Sequence, residues 1–174
     1  MALIAPSLEF SRPLEVARIP ALGSTEKISA TPEECKRLGK RLDVPAVHAL
    51  RAVLLAKPWR GGGVKLTGDI HADLEQVSVI SLENFRQDIT IPVERYFLDR
   101  PPDDEGGDGE VIDAIVAGQI DLGEVVAETL ALELDPYPRK PGEEFASEEP
   151  VPDGGSVSAF SSLDALKARK IERK

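Results

Sequence analysis

The sequence is poor in the residues that build covalent or metal-held frameworks. Of 174 residues only one is a cysteine, Cys35, so no internal disulfide can form and a cysteine-based zinc site lacks ligands. Histidine occurs twice, as His48 and His71, which leaves little material for histidine-led catalysis. Aromatic residues make up 5% of the chain, with a single tryptophan, Trp59. No apolar run approaches the ~20 residues that a bilayer-spanning helix needs. The first ten residues have no basic start and are broken by Pro6, so they do not read as a signal peptide and the expected compartment is the cytoplasm. Gly-x-Ser-x-Gly, His-Glu-x-x-His and a Gly-rich loop ending in Lys-Ser/Thr are all missing. The expectation is a non-enzyme with no catalytic residue, cofactor, metal site, membrane contact or small-molecule substrate.

Charge is present in quantity but unevenly placed. Residues 1–98 hold 13 Lys/Arg against 12 Asp/Glu, whereas residues 99–174 hold 8 against 19. The second part therefore supplies the net charge of −10; it should repel nucleic acid and attract basic proteins. Any RNA-binding surface belongs to the first part or to the last few residues.

Residues 8–19 read as an extended segment, with Pro13 suiting an edge strand. A turn is expected at residues 23–25. Thr31, Pro32 and Glu34 combine an N-cap, a first-turn proline and a capping-box acid, so a helix should run to about Leu42 with Cys35, Leu38 and Leu42 inward. Residues 46–57 fit helix or strand by periodicity. Strand is preferred, because a Gly-rich turn at residues 58–63 joins them to residues 64–73, where apolar and polar side chains alternate strictly. That strand can extend through Val77, Val79 and Ile80. A third arm, residues 88–98, places Ile89, Ile91, Val93 and either Tyr96 or Phe97 inward. An acidic loop occupies residues 99–110. Residues 121–134 form an amphipathic helix capped by Asp121, with Glu124 and Glu128 opposite its apolar side. A Pro/Gly/Glu-rich linker, expected to be flexible, spans residues 139–158, and a last short helix spans residues 159–171. The fold class expected is α+β: a curved antiparallel β-meander or partial barrel with two packed helices, in a domain of residues 1–138, followed by the tail.

Three groups of side chains stand out. Lys36, Arg37, Lys40 and Arg41 give the first helix a basic face, and Lys57, Trp59, Arg60 and Lys65 surround the hairpin turn. Cations with an aromatic among them suit phosphate-led RNA binding, although a helix preceded by Glu33 and Glu34 is also an ordinary solvated surface. Asp121, Glu124, Glu128 and the acidic loop suit a basic protein partner, or serve only as solubilising charge. Phe160, Leu163 and Leu166 recur along the tail helix as a docking segment, or pack it back on the domain. His71, with Asp69 and Asp73 on the same strand face, reads as an exposed strand histidine rather than a carboxylate–histidine pair. His48 reads as a satisfied core or edge residue. The acidic loop lacks the ligand spacing of a calcium-binding hand.

Four stretches, in order, resemble the YceD family of bacteria and plastids, whose members are named for large-subunit (23S) rRNA accumulation. Residues 9–13 (EFSRP) resemble its opening strand, and residues 66–76 (LTGDIHADLEQ) its central one. Residues 120–132 (IDLGEVVAETLAL) with 135–138 (DPYP) are similar to its most telling block, and residues 159–167 (AFSSLDALK) to its C-terminal signature. Many relatives carry cysteines after the central strand; residues 77–85 (VSVISLENF) have none, so no metal site is carried over. The tail has Ser158-Ala159-Phe160 where relatives have Asn-Pro-Phe. The resemblance implies a role in large-subunit rRNA accumulation and ribosome biogenesis, with precursor rRNA or a basic ribosomal protein as partner. The alternative is an acidic adaptor or chaperone that binds a basic ribosomal protein and never touches RNA.

Overall fold

The computed structural model describes residues 8–100 and 112–143. In chain order these form β1 (Pro13–Glu15), a 3-10 turn (Val16–Arg18), β2 (Ser24–Ser29), α1 (Pro32–Arg41) and β3 (Ala46–Trp59). A second 3-10 turn (Arg60–Gly62) leads to β4 (Gly63–Val77), β5 (Asn84–Leu98), β6 (Ile112–Ala114), β7 (Gln119–Asp121) and α2 (Leu122–Glu133). The fold is α+β. Strands β2-β3-β4-β5-β6 make one sheet and β1-β7 a separate ribbon, with no closed barrel among the described residues.

The three long strands follow the alternation read in the sequence. Leu54 pairs with Gly68 and Gly68 with Val93; Ala52 pairs with Ile70 and Ile70 with Ile91. These positions point to one face, because a period of two sends every second side chain to the same side, and all but the half-buried Gly68 are buried. Both helices and Phe10 close over that inner face, with Cys35, Leu38, Val125, Val126 and Leu130 in the shared core. On the opposite, outer face no side chain from Lys65 to Glu75 on β4 is buried, and those of β5 are exposed or half-buried.

Helix α1 starts as the sequence demands. The Thr31 hydroxyl accepts from the Glu34 N–H while the Glu34 carboxylate accepts from the Thr31 N–H, which satisfies two otherwise orphan donors. Asp121 caps α2 by accepting from the N–H groups of Gly123 and Glu124. Gly123 is required there: a Cβ would lie 2.5 Å from the Phe10 carbonyl oxygen, so only glycine lets the helix start against that segment.

Several expectations need correction. The chain turns at Pro20–Gly23, where the Gly23 N–H donates to the Pro20 carbonyl, and residues 24–29 are the edge strand β2. Only Ile28 is apolar among its inward positions, and charged edge strands give little periodic signal. Strand β4 stops at Val77; the Val79 N–H instead donates to the Pro138 carbonyl. Phe97 points inward and Tyr96 outward. The sheet is not purely antiparallel, since β6 runs parallel to β5. Ordered contacts continue past residue 138, where Glu143 accepts from Ser78 and Lys140 pairs with Glu83. Residues 101–110 of the acidic loop, the rest of the linker and the tail helix with Phe160, Leu163 and Leu166 lie outside the described residues.

Candidate nucleic-acid interface

The two basic groups read in the sequence sit on opposite sides of the sheet. Helix α1 packs by Cys35 and Leu38 onto the inner face, so Lys36, Arg37 and Lys40 project into solvent on the helical side. Lys57, Trp59 and Lys65 occupy outer-face positions at the hairpin end, in register with Lys65, Gly63 and Tyr96 respectively. Strand parity carried this signal: Leu50, Ala52, Leu54 and Ala56 are inward, so Lys57 and Trp59 must point away.

The cations divide into held and unheld. Arg41 donates to Glu124 through both terminal nitrogens, at 2.8 and 2.6 Å, and to Glu9 at 3.1 Å. These carboxylates raise the Arg41 pKa further above its already high value. Arg12 forks onto Glu34 at 2.9 Å twice, and Arg95 bridges Asp113 at 2.8 Å and Glu128 at 3.4 Å. Arg86 is paired with Asp73. By contrast Lys36, Arg37, Lys40 and Lys57 are exposed and have no ion pair among the described residues. Arg41 is thus part of the scaffold rather than of the free basic face.

The candidate protein-binding acids are also engaged. Besides capping α2, the Asp121 carboxylate accepts from the Ser11 hydroxyl and from the Arg12 N–H. Glu124 and Glu128 face Arg41 and Arg95. An isolated helix reading leaves them on a free acidic face; the partners lie 83 and 33 residues away and are invisible to local spacing.

At the hairpin end the Trp59 and Tyr96 rings meet with centroids 4.8 Å apart at 49°. The Arg60 guanidinium lies 4.3 Å above the indole and the Lys65 ammonium 5.0 Å from the phenol ring centre. Glu94 accepts from Lys65 at 2.7 Å and from the Tyr96 hydroxyl at 2.6 Å, which draws the lysine pKa up and its own down. Tyr96 was not singled out from the sequence. The inward run Ile89, Ile91, Val93 fixes its outward direction and was the available signal.

His71 contacts the Thr90 hydroxyl at 3.0 Å, and His48 sits at an irregularity of β3, in solvent, 2.9 Å from Glu75. At the far end of the sheet, Leu42, Val44, Pro45, Leu134, Pro136 and Pro138 line a groove of about 470 Å³, with Asp43 and Asp135 also in its wall. No helix among the described residues is long and apolar enough to cross a membrane.

The family model described as "Large ribosomal RNA subunit accumulation protein YceD" matches residues 66–167, which is more than half of the chain. The chain belongs to the YceD family. The matched segment contains nearly all of β4, all of β5, and α2 with its Asp121 cap, so the YceD match rests on the sheet's centre and the helix over it. It includes Tyr96 and Glu94 but begins just after Lys65, and the cations of α1 lie before it. No curated protein and no solved structure matches the chain.

Proposed function

We propose that the chain is a non-catalytic cytoplasmic RNA-binding protein that supports large-subunit rRNA accumulation by contacting precursor rRNA. One observation carries this reading: Lys36, Arg37 and Lys40 stand together on α1 without carboxylate partners among the described residues, in a fold that pairs Arg12, Arg41, Arg86 and Arg95. Unpaired cations one helical turn apart repel one another, and a phosphate backbone relieves that repulsion while releasing its own counterions. The net −11 of residues 99–174 opposes indiscriminate binding of nucleic acid. The family name supports the large-subunit rRNA as the target.

Charge reversal of Lys36, Arg37 and Lys40 together, with Arg41 left in place to preserve the scaffold, tests the reading. Co-purification of precursor rRNA with the full chain should be lost in the variant. Retention at the unmodified level would overturn it. Carboxylate-led docking of a basic ribosomal protein is less favoured, because Glu124 and Glu128 already hold Arg41 and Arg95.

A further inference from the structure

Both helices finish at one groove. Leu42, the cap of α1, and Val44 line it together with Ala131 and Leu134 at the end of α2, around a volume of about 470 Å³. Val77, where β4 stops, is also in the wall and is 40% exposed, so apolar surface there meets solvent. Both helix ends carry the unfavoured charge. The C-terminus of a helix is the negative end of its dipole, where Lys or Arg stabilises and Asp or Glu does not. Asp43, exposed and just beyond α1, adopts φ +53°, a conformation in which glycine or asparagine is usual. Helix α2 has no basic residue in its last turn and runs out as Glu133-Leu134-Asp135. Asp43, Glu133 and Asp135 have no ion pair among the described residues; the Asp135 carboxylate accepts from the local Tyr137 N–H. Of the residues lining the groove only Arg41 is a cation, and Glu124 and Glu9 already hold it.

We propose that the groove docks a basic segment of a partner protein, with an apolar side chain seated against Val44, Val77 and Leu134 and a Lys or Arg beside it facing Asp43 and Asp135. An apolar groove alone accepts any hydrophobic segment. Two helix C-termini and two acids without cation partners select a segment that also carries positive charge, and they reject an acidic one. A lysine or arginine suits the place twice, because its stem covers apolar wall while its charged end reaches the rim. A volume of this order holds a few side chains, so the partner enters as a short segment rather than as a flat protein face. The bound cation supplies what both helix ends lack, so the charges that cost the free fold stability become favourable in the complex. The site does not use Lys36, Arg37 or Lys40 and therefore stands or falls apart from the RNA reading.

The full chain is titrated with a short labelled helical peptide of leucine and lysine, and with a counterpart of equal charge in which serine replaces leucine, following label anisotropy. The leucine peptide should bind roughly tenfold tighter or more. Asp43→Asn with Asp135→Asn should weaken it roughly tenfold, and Ala131→Arg, which puts a guanidinium into the groove from an exposed helix position, should remove its advantage over the serine peptide. The asparagine pair takes negative charge from two helix C-termini, so its urea midpoint should be no lower than that of the unmodified protein, and its weaker binding is then not a loss of fold. Equal binding of the two peptides would reduce the contact to general attraction by an acidic chain and overturn the proposal. A leucine preference that survives Ala131→Arg would place the binding elsewhere and overturn it too. Concentration-dependent dimerisation of the peptide-free chain, seen by sedimentation and abolished by Ala131→Arg, would assign the groove to a second copy instead.

Discussion

Arg41 at the end of α1 and Glu124 in the first turn of α2 form a two-pronged ion pair, at 2.6 and 2.8 Å, that joins the two helices over the core. Each is less than one-third exposed, so the pair is shielded enough to matter, and removing one partner leaves the other incompletely satisfied. Arg41→Met should destabilise the protein by about 1–3 kcal/mol in urea unfolding. The double exchange Arg41→Glu with Glu124→Arg should recover part of that loss. No recovery would mean that Glu9, the second partner of Arg41, dominates the contact.

Glu34 gives the fold an acid-sensitive joint. The Arg12 fork, aided by the Thr31 N–H and hydroxyl, pulls its carboxyl from near 4.5 down to about 2. A lowered folded-state pKa means that the unfolded chain binds the proton more readily. The contribution is therefore complete above pH ~5 and is lost as pH falls toward 2. With Arg12 about one-third exposed, solvent screening limits it to about 2 kcal/mol. Glu34→Gln keeps an acceptor for the Thr31 N–H but not the charge. Its stability deficit at pH 7 should shrink to nothing near pH 2; a deficit that stays constant with pH would assign the loss to capping geometry instead.

Gly68 is the tightest point in the sheet. A Cβ there would lie 2.1 Å from the Val53 carbonyl oxygen and 2.9 Å from the Leu54 Cα, with backbone atoms that cannot move aside independently. Its φ of +155° adds a conformation that L-residues rarely adopt. Gly68→Ala should cost about 3 kcal/mol or more and lower the yield of soluble protein. A near-native unfolding midpoint would show that β3 and β4 separate here without penalty.

How far such features could be read beforehand depended on whether the responsible residues were neighbours in sequence. The α1 cap is local to Thr31, Pro32 and Glu34, and the α2 cap to Asp121, so both were legible. The β3–β4 hairpin was legible because alternation through Val64, Leu66 and Ile70 is strict. The electrostatic surface was not. Arg41 and Glu124 each read as free charges on separate helices, and folding joins them across 83 residues. Strands β6 and β7 have three residues each, too few to show a period. The separation of the α1 cations from the hairpin cluster lay between these cases. Helix and strand each revealed an inner side through Leu38 and Leu54, but only their packing on a common core places Lys40 and Trp59 on opposite sides of the sheet.

The division into held and unheld cations has a thermodynamic signature. Binding to single-stranded RNA should weaken with salt, with a logarithmic slope of about −0.7 per phosphate contacted. Neutralising Lys36, Arg37 and Lys40 to Gln removes up to three contacts and should make the slope shallower by about 2. Arg41→Met, at a cation already engaged with Glu124 and Glu9, should leave the slope unchanged while lowering stability. Affinities measured from low to moderate salt on the three proteins separate the roles. Equal slopes for all three would mean that α1 does not touch the phosphate backbone, and a shallower slope for Arg41→Met alone would mean that RNA opens the Arg41–Glu124 pair on binding.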